Sequence, residues 1–400
     1  MDFSISPDMQ ALLSRVRDFV NKELIPLEAG FLNKEFNEIE PLLQEMRTKV
    51  REMGLLSPHM PKEHGGLGLS VMELGLMGAE LGRSPIGHFV FNCQAPDSGN
   101  MEVLHKYAND EQKEKYLIPL VAGQIRSCFS MTEPDYPGSN PVWMGTTAEK
   151  DGDDYVINGR KWFTSAADGA TFAIVMAVTD ASAPPHMRAS QIIVPMDTPG
   201  VEIVENTPCM GHRGEGWHSH SEIQYTNVRV PQENRLGPEG AGFLIAQERL
   251  GPGRIHHCMR WLGIAERSFE LMCQRAVDRP IGEDRPLSSR QFVQGWVAES
   301  RAEIDSARLA VLHAAWKIDQ VGAPEAREEI GLIKFLVANT MLRVVDRAIQ
   351  MHGALGITDY TPLAFWYRAE RAARIYDGAD EVHKVSVAKR ILKRFTPSAG

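Results

Sequence analysis

The chain has 400 residues, of which 43% are hydrophobic, and its formal net charge is −9. A chain of this length can bury a large core and is expected to divide into two or three cooperating units. Its negative charge would repel a phosphate backbone, which argues against a nucleic-acid partner.

The N-terminal residues and the cysteines indicate the cellular compartment of the protein. The N-terminal residues are acidic and polar, without the apolar stretch of a signal peptide, and no run of about 18 apolar residues could span a bilayer. Five cysteines at irregular spacing include no CxxC pair and no metal-ligand spacing, which favours a reducing compartment. We therefore expect a cytoplasmic protein, or a protein of the mitochondrial or peroxisomal matrix in a eukaryote, with no membrane insertion and no metal.

Residues 1–125 are predicted to form a helical domain. Ser6-Pro7 is a typical helix start, with a serine cap before a proline in the first turn, and apolar residues then recur at helical spacing. Breaks at prolines and at a glycine-rich segment separate the further helices predicted at about 39–53, 71–83 and 97–108.

The pattern changes to β over residues 126–237. Short β-branched runs lie between clusters of Gly, Pro, Asp and Asn, which indicates a central antiparallel β domain. The stretch YVINGRKWFT predicts a hairpin with Asn158-Gly159 in its tight turn. Trp162 and Thr164 would then lie on one face of the returning strand.

Helical periodicity returns after Gly240. Long stretches at about 288–321 and 325–351 have apolar faces that are too wide for solvent, so residues 238–400 are expected to form a bundle that also builds a subunit interface. The predicted fold class is therefore α+β multidomain, with a helical domain, a β domain and a helical bundle in that order.

A loop at the start of the β region carries the first chemical signal. Residues 127–140 read SCFSMTEPDYPGSN, in which turn residues expose backbone N–H groups beside the hydroxyls of Thr132 and Ser139. Such a loop can bind the pyrimidine edge of a flavin and a phosphate, although an ordinary turn between domains has a similar composition. The following KWFTS places a large flat indole, Trp162, two residues before the hydroxyl of Thr164.

These two segments resemble the acyl-CoA dehydrogenase family, whose flavin loop reads roughly TEPxAGSD and whose next strand carries Trp-x-Thr. The likeness extends over nearly the whole chain, to a Tyr-Glu-Gly-Thr-like segment that here reads Tyr376-Asp377-Gly378-Ala379. The pattern Asp-Gly-x-Asp-Glu-Val-His is most similar to the branch of family members ten and eleven. The resemblance implies the fold of that family, an FAD cofactor and α,β-dehydrogenation of an acyl-CoA.

The resemblance also implies the flavin contacts. Within one subunit the expected contacts are Phe129, Met131, Thr132, Gly138, Ser139, Trp162, Thr164, Ala379 and Glu381. A neighbouring subunit would add Arg279, Gln350 and Gly353, although Ala354 replaces the second glycine of the family segment and Arg285 is an alternative arginine. A core role for Trp162 and solvated helix-end charges for the arginines are the structural alternatives.

Removing the α-proton of an acyl-CoA requires a base, and donors that polarise the thioester oxygen. Where many family members have glutamate this chain has Asp377, and Gly253 occupies the base position of a second branch. Asp377 is therefore the predicted base, with a side chain shorter than glutamate by roughly 1.5 Å, one C–C bond. Asp-Gly before a new helix is also ordinary turn chemistry.

Arg254 matches a family arginine near the catalytic carboxylate and is expected to orient that group or lower its pKa. His257 shares a helical face with Arg254. The residues expected to bind the substrate are Ser139, Arg254, His257, Tyr376 and Gly378. His257 and Arg260 also predict a pocket that accepts a polar group, such as the hydroxyl of a hydroxyacyl-CoA, whereas a buried histidine satisfied by another side chain is the plainer interpretation.

Two other functions stay open on the sequence alone. A nitroalkane oxidase of this superfamily also uses aspartate as its base, on a small substrate without CoA. An alkylation-response protein of the superfamily binds DNA, which the charge of −9 disfavours. For an acyl-CoA dehydrogenase, the resemblance implies a homodimer or homotetramer, an electron-transferring flavoprotein as acceptor, and a role in fatty acid β-oxidation.

Overall fold

The structure, a computed structural model, describes residues 5–395 apart from the side chains of residues 250–252. Helices precede and follow a central run of strands along the chain. The helices are α1 Pro7–Phe19, α2 Glu28–Phe31, α3 Phe36–Glu52, α4 Val71–Leu81, α5 Gly87–Val90, α6 Asp97–Tyr107, α7 Asp110–Gln112, α8 Ile118–Val121, α9 Gly242–Asp278, α10 Gln291–Val321, α11 Arg327–His352, α12 Pro362–Glu370 and α13 Asp380–Lys393. The strands are β1 Ser127–Ser130, β2 Thr147–Asp151, β3 Asp154–Ser165, β4 Phe172–Val178, β5 Ala189–Pro195, β6 Val201–Asn206, β7 His220–Pro231 and β8 Arg235–Leu236.

The contacts within the chain define two compact units. The first unit comprises the chain up to Lys34, Leu69–His88 and the chain from Gly251 onward, and the second comprises Glu35–Gly68 and Phe89–Leu250. The N-terminal helices belong to both units, with α1 and α4 in the first unit and α3 and α6 in the second. Domain boundaries after residues 125 and 237 therefore stay a prediction.

The predicted N-terminal helices are present as α1, α3, α4 and α6. At the start of α1, the hydroxyl of Ser6 accepts a hydrogen bond from the backbone N–H of Met9 at 3.2 Å, with Pro7 in the first turn. A capping box formed by Ser70 and Glu73 begins α4 in the same way. Local capping chemistry therefore fixes where these helices begin.

The second unit contains an eight-stranded sheet in the order β6-β7-β3-β2-β4-β5-β8, with β1 also paired to β4. Most neighbours are antiparallel, as expected, but β1 and β2 run parallel to β4. Alternate residues of β4 enter two different clusters of buried side chains, Phe172 and Ile174 in one and Ala173 and Val175 in the other. Burial on both faces explains why β4 reads as a continuous apolar run.

The predicted hairpin at Asn158-Gly159 is wrong. Both residues lie inside the single strand β3, and the tight turn lies earlier, at Gly152 with φ +63° between β2 and β3. A Cβ atom on Gly159 would lie 2.4 Å from the hydroxyl oxygen of Thr146. Glycine is therefore required at this position by a close approach of the backbone, and not by a turn.

The first unit is built on a helical core formed mainly by α9, α10 and α11. The apolar face predicted for α10 is buried along its length, at Ile304, Ala307, Val311, Ala314 and Ile318. A stripe at spacings of three and four is buried because it faces the other helices of the bundle. The subunit interface expected on this bundle stays a prediction.

The described residues bear on two predictions from the sequence, one about membrane-spanning segments and one about the cysteines. Among residues 5–395, no helix combines the length and the apolar character needed to cross a membrane. Within the same residues, the five cysteines form no disulfide.

Candidate active site

A buried ion pair shapes the predicted flavin loop in the second unit. The carboxylate of Glu133 accepts hydrogen bonds from the backbone N–H groups of Gly145 and Thr146 at 2.6 and 2.9 Å, and from Nζ of Lys161 at 2.9 Å. Lys161 also donates to the carbonyl of Met131 at 2.9 Å. One carboxylate and one ammonium thus join the loop to β3.

The two charges support each other at a site that excludes water. Burial lowers the pKa of Lys161 to about 8, against the attraction of Glu133. Burial alone would raise the pKa of Glu133, but the Lys161 ammonium and the hydrogen bonds hold it below its usual value. Both groups are therefore ionised near pH 7. This pair was not among the predicted site residues. A lysine at an inward position of a buried strand was a signal, because lysine is rarely buried without a partner.

The loop and the strand meet at Trp162. Its backbone N–H donates to the carbonyl of Thr132 at 3.0 Å, and Phe163 beside it has φ +48° at a register shift between β3 and β7. Among the described residues, Nε1 of Trp162 is buried without a hydrogen-bond partner. Because a buried donor is costly to leave unpaired, this atom is suited to an acceptor on a ligand.

Thr164 and Phe129 already have partners in the protein. The hydroxyl of Thr164 is fully buried and lies 3.3 Å from the hydroxyl of Ser130. The guanidinium carbon of Arg249 lies 4.4 Å from the centre of the Phe129 ring. A flavin contact at Thr164 stays a prediction, and it would have to share or replace the bond to Ser130.

The tip of the loop is accessible. Gly138 and Ser139 are exposed, whereas Met131 and Thr132 nearer the strand are partly buried. A Cβ atom on Gly138 would lie 3.3 Å from the methyl group of Thr132, so the glycine lets the loop close tightly over that residue. The exposed backbone and the Ser139 hydroxyl are suited to a phosphate or to a thioester.

In the first unit, the predicted base segment forms a strained turn before α13. Asp377 has φ +53° and Gly378 has φ +99°. Nε of Arg254 donates to the carbonyl of Asp377 at 3.2 Å, and Nε2 of His383 lies 3.1 Å from the same oxygen. Nζ of Lys334 donates to the carbonyl of Gly378 at 3.2 Å. Three side chains thus hold the backbone of a turn whose φ values few residues adopt.

Burial lowers the pKa of two of these anchors. The pKa of His383 is lowered to about 4, first by burial and then by Arg254, so its ring is neutral near pH 7 and its Nε2–H donates to the carbonyl. Burial lowers the pKa of Lys334 as well, while Asp377 opposes that shift. Lys334 and His383 were not among the predicted site residues, although His383 closes the Asp-Gly-x-Asp-Glu-Val-His pattern.

The carboxylate of Asp377 has an imidazole neighbour. Its Oδ2 lies 3.2 Å from Nε2 of His257, and the two side chains are 21% and 19% exposed respectively. The His257 ring stacks on Trp261 and lies 5.2 Å from the Tyr376 ring, centre to centre. Arg254, which was expected to orient this carboxylate, bonds to the backbone carbonyl of Asp377.

Arg260 is engaged in a buried network. Its guanidinium bonds to both carboxylate oxygens of Glu370 and donates to the hydroxyl of Tyr376 at 3.0 Å. Nε1 of Trp261 donates to Glu370 at 3.0 Å. The expectation of a polar acyl pocket rested on Arg260 and His257 as available donors. Because both are paired within the protein, the structure removes that support.

The other predicted cofactor residues of the first unit lie at helix ends. Arg279 is exposed just after α9, Gln350 is exposed in the last turn of α11, and Gly353 follows that helix with φ +64°. Ala379 is the N-cap residue of α13, and Glu381 is exposed in its first turn. Their contacts with a flavin, in this subunit or in another, stay predictions.

Helices, an eight-stranded sheet and a helical bundle in this order define an acyl-CoA dehydrogenase-like fold. Three family models match in sequence: acyl-CoA dehydrogenase N-terminal domain at residues 6–124, middle domain at 128–228 and C-terminal domain at 240–392. The chain belongs to the acyl-CoA dehydrogenase family, whose members are flavin-dependent oxidoreductases. This confirms the resemblance drawn from the sequence.

Individual relatives agree with the family assignment. "Probable acyl-CoA dehydrogenase FadE2" of Mycobacterium tuberculosis is 45% identical, with 98% of each chain covered. Acyl-CoA dehydrogenase family member 11 of Gallus gallus is 41% identical over 95% of this chain, which spans only 50% of that relative. The crystal structure of acyl-CoA dehydrogenase from Geobacillus kaustophilus has a TM-score of 0.83 at 27% identity, covering 98% of this chain and 100% of the other.

Proposed function

We propose that this chain uses FAD to oxidise an acyl-CoA to the trans-2-enoyl-CoA, with Asp377 as the base that takes the α-proton. The observation that carries the proposal is the geometry of Asp377, a partly buried carboxylate on an anchored turn with an imidazole nitrogen 3.2 Å away. A general base must keep its position to within a fraction of an ångström, since small displacements are costly.

The turn also supports aspartate, instead of glutamate, as the base. Asp377 has φ +53°, a left-handed conformation in which aspartate is enriched among non-glycine residues. Arg254, His383 and Lys334 hold this backbone through its carbonyl groups. We infer that this placement of the backbone offsets the shorter side chain.

The fit of a flavin is supported by the chemistry of the loop. Nε1 of Trp162 is a buried donor without a partner among the described residues, and the tip at Gly138 and Ser139 is exposed. These residues, with Met131 and Thr132, would hold the ring and a phosphate. When bound, FAD supplies the acceptor, at flavin N5, for the hydride that leaves the β-carbon.

A second copy of the chain is part of the proposal. Arg279, Gln350 and Gly353 are exposed at helix ends, and they would reach the cofactor of the other subunit in a homodimer or homotetramer. An electron-transferring flavoprotein would then reoxidise the enzyme, which would act in fatty acid β-oxidation.

The test is anaerobic mixing of the purified protein with a series of acyl-CoAs while the flavin absorbance is followed. We expect yellow protein with non-covalent FAD, bleaching by at least one acyl-CoA with formation of the enoyl product, and no bleaching by the matching free acid. Folded protein that takes up no FAD would contradict the proposal. Bleaching by nitroalkanes in the absence of CoA would instead favour the oxidase alternative.

A further inference from the structure

Glu63, His64 and His105 in the second unit bring three metal-ligand atoms together. Nε2 of His64 lies 3.1 Å from Nδ1 of His105, and Oε1 of Glu63 lies 3.6 Å from the first nitrogen and 4.0 Å from the second. We propose that these three residues form a binding site for a divalent transition-metal ion such as Zn²⁺. None of its three residues belongs to the flavin loop or to the Asp377 turn.

The spacing of the three atoms matches one metal ion. A triangle with sides of 3.1, 3.6 and 4.0 Å has a circumscribed circle of radius about 2.1 Å, obtained from the product of the sides and the area. One point therefore lies at about that distance from all three atoms, within the usual range of Zn–N and Zn–O bonds, about 2.0–2.2 Å. Three protein ligands leave further coordination positions for water, as in open zinc sites.

The two histidines come from backbone that is already ordered. His64 ends a single turn of 3₁₀ helix, and His105 lies in the last turn of α6. The segment after His64 is closely packed, since a Cβ atom on Gly66 would lie 1.9 Å from the carbonyl oxygen of Met60. A site built on such backbone loses little conformational entropy when it binds an ion.

The donor chemistry selects the class of ion. Two imidazoles and one carboxylate suit Zn²⁺, Ni²⁺ or Cu²⁺, whereas Mg²⁺ and Ca²⁺ prefer oxygen ligands. Glu63 is exposed and brings the negative charge.

The sequence pointed to no metal because the ligands are not close along the chain. Glu63 and His64 are adjacent, but His105 follows 41 residues later on another element. A bound ion would tie the turn at residues 62–64 to α6. By mass action, such binding stabilises the folded protein.

Calorimetric titration of the purified, FAD-loaded protein with ZnCl₂ at pH 7.5 tests the proposal. We expect saturation at one ion per chain and a rise in Tm of at least about 2 °C with excess Zn²⁺, but no such effect of MgCl₂. His105→Ala and the more conservative His64→Gln should each weaken Zn²⁺ binding by at least about tenfold, since even changes outside the ligand shell cost about 10–100-fold.

The matched control is His212→Ala. His212 also lies near a carboxylate, with Nε2 3.5 Å from Oε1 of Glu35, but among the described residues this pair belongs to no group of three close ligand atoms, so the change should leave Zn²⁺ affinity unaltered. Far-ultraviolet circular dichroism and flavin content verify that each variant is folded. The proposal fails if no saturable site is found, or if the His64 and His105 variants bind Zn²⁺ as tightly as the parent. An ordinary hydrogen bond between the two imidazoles would then explain the geometry.

Discussion

Nε2 of His257 lies 3.2 Å from Oδ2 of Asp377, with both side chains mostly buried. The imidazole is fixed from two sides, because it stacks on Trp261 with ring centres 5.8 Å apart and lies against Tyr376. A carboxylate beside a fixed donor has one preferred orientation, which a proton-abstracting group requires. We infer that His257 positions Asp377, which assigns this histidine a different role from the substrate contact expected from the sequence.

The first prediction tests this role of His257. His257→Leu removes the donor and should slow flavin reduction at saturating acyl-CoA by roughly tenfold, the equivalent of one hydrogen bond of about 1.4 kcal/mol. The apparent affinity for acyl-CoA should change little. His257→Gln retains an N–H near the same place and should recover much of the rate in stopped-flow measurements.

The control for His257 is His186→Leu at an exposed histidine of the second unit, which should leave the rate unchanged. If His257→Leu weakens substrate binding without slowing reduction at saturation, His257 contacts the substrate and does not position the base. Equal losses in the Leu and Gln variants would also contradict a positioning role.

The second prediction concerns the buried pair Lys161 and Glu133. Lys161→Met leaves the Glu133 carboxylate buried without its ammonium partner, and this should lower the free energy of unfolding by about 3–5 kcal/mol. Flavin should also be lost more readily, because the pair joins the loop to β3. Urea unfolding and the flavin retained after gel filtration measure the two effects.

The double variant Lys161→Met, Glu133→Gln separates the charge from the packing. It removes both charges, and the glutamine oxygen can still accept from the backbone of Gly145 or Thr146, so part of the stability should return. A double variant less stable than Lys161→Met would show that the unpaired charge is not the main cost.

The third prediction follows from His383. Its pKa in the folded protein is about 4, below the usual value of about 6.5, so the unfolded chain binds more protons between these values. The stability that neutral His383 contributes is complete above about pH 6.5 and is lost as the pH falls toward 4, up to about 3 kcal/mol for one such group.

His383→Gln retains an N–H donor without a titrating ring, and the variant should therefore lose less stability than the parent between pH 7 and pH 4. Urea unfolding at several pH values within that range measures the difference. Parallel losses in both proteins would mean that His383 does not titrate as expected. His256→Gln is a useful comparison, because burial also lowers the pKa of His256 to about 4 at a position outside the Asp377 turn.

Local chemistry explains which parts of the fold could be predicted. The start of α1 was identified because Ser6 and Pro7 act on the backbone within four residues, as the bond from Met9 shows. The buried face of α10 could also be predicted, because its apolar residues recur at spacings of three and four. The hairpin turn predicted at Asn158-Gly159 was wrong for a non-local reason. Glycine is required there because Thr146, a residue of another segment, lies close to the backbone, and turn preferences do not reveal such a contact.

The residues of the candidate site likewise fall into those that short motifs could predict and those that only non-local contacts define. Resemblance to a family located Asp377, Trp162 and the loop, since these positions belong to short motifs. Lys334 was missed because it acts on the backbone carbonyl of Gly378, which is 44 residues away in the sequence. A hydrogen bond to a backbone carbonyl imposes no pattern on the residue that accepts it.

The last prediction tests Asp377 itself. Asp377→Asn retains the size of the side chain and tolerates the same left-handed backbone, so the turn held by Arg254, Lys334 and His383 should persist. Because asparagine has no basic oxygen, flavin reduction by acyl-CoA should fall by at least about 10²-fold while FAD and acyl-CoA remain bound.

Asp377→Glu should be harder to accommodate, because glutamate is less suited to positive φ and its extra methylene would displace the carboxylate from His257. Asp359→Asn, at an exposed carboxylate, is the matched control and should reduce at the parent rate. Near-normal reduction in Asp377→Asn would overturn the assignment of the base, and the carboxylates of Asp380 and Glu381 would then be the next to test.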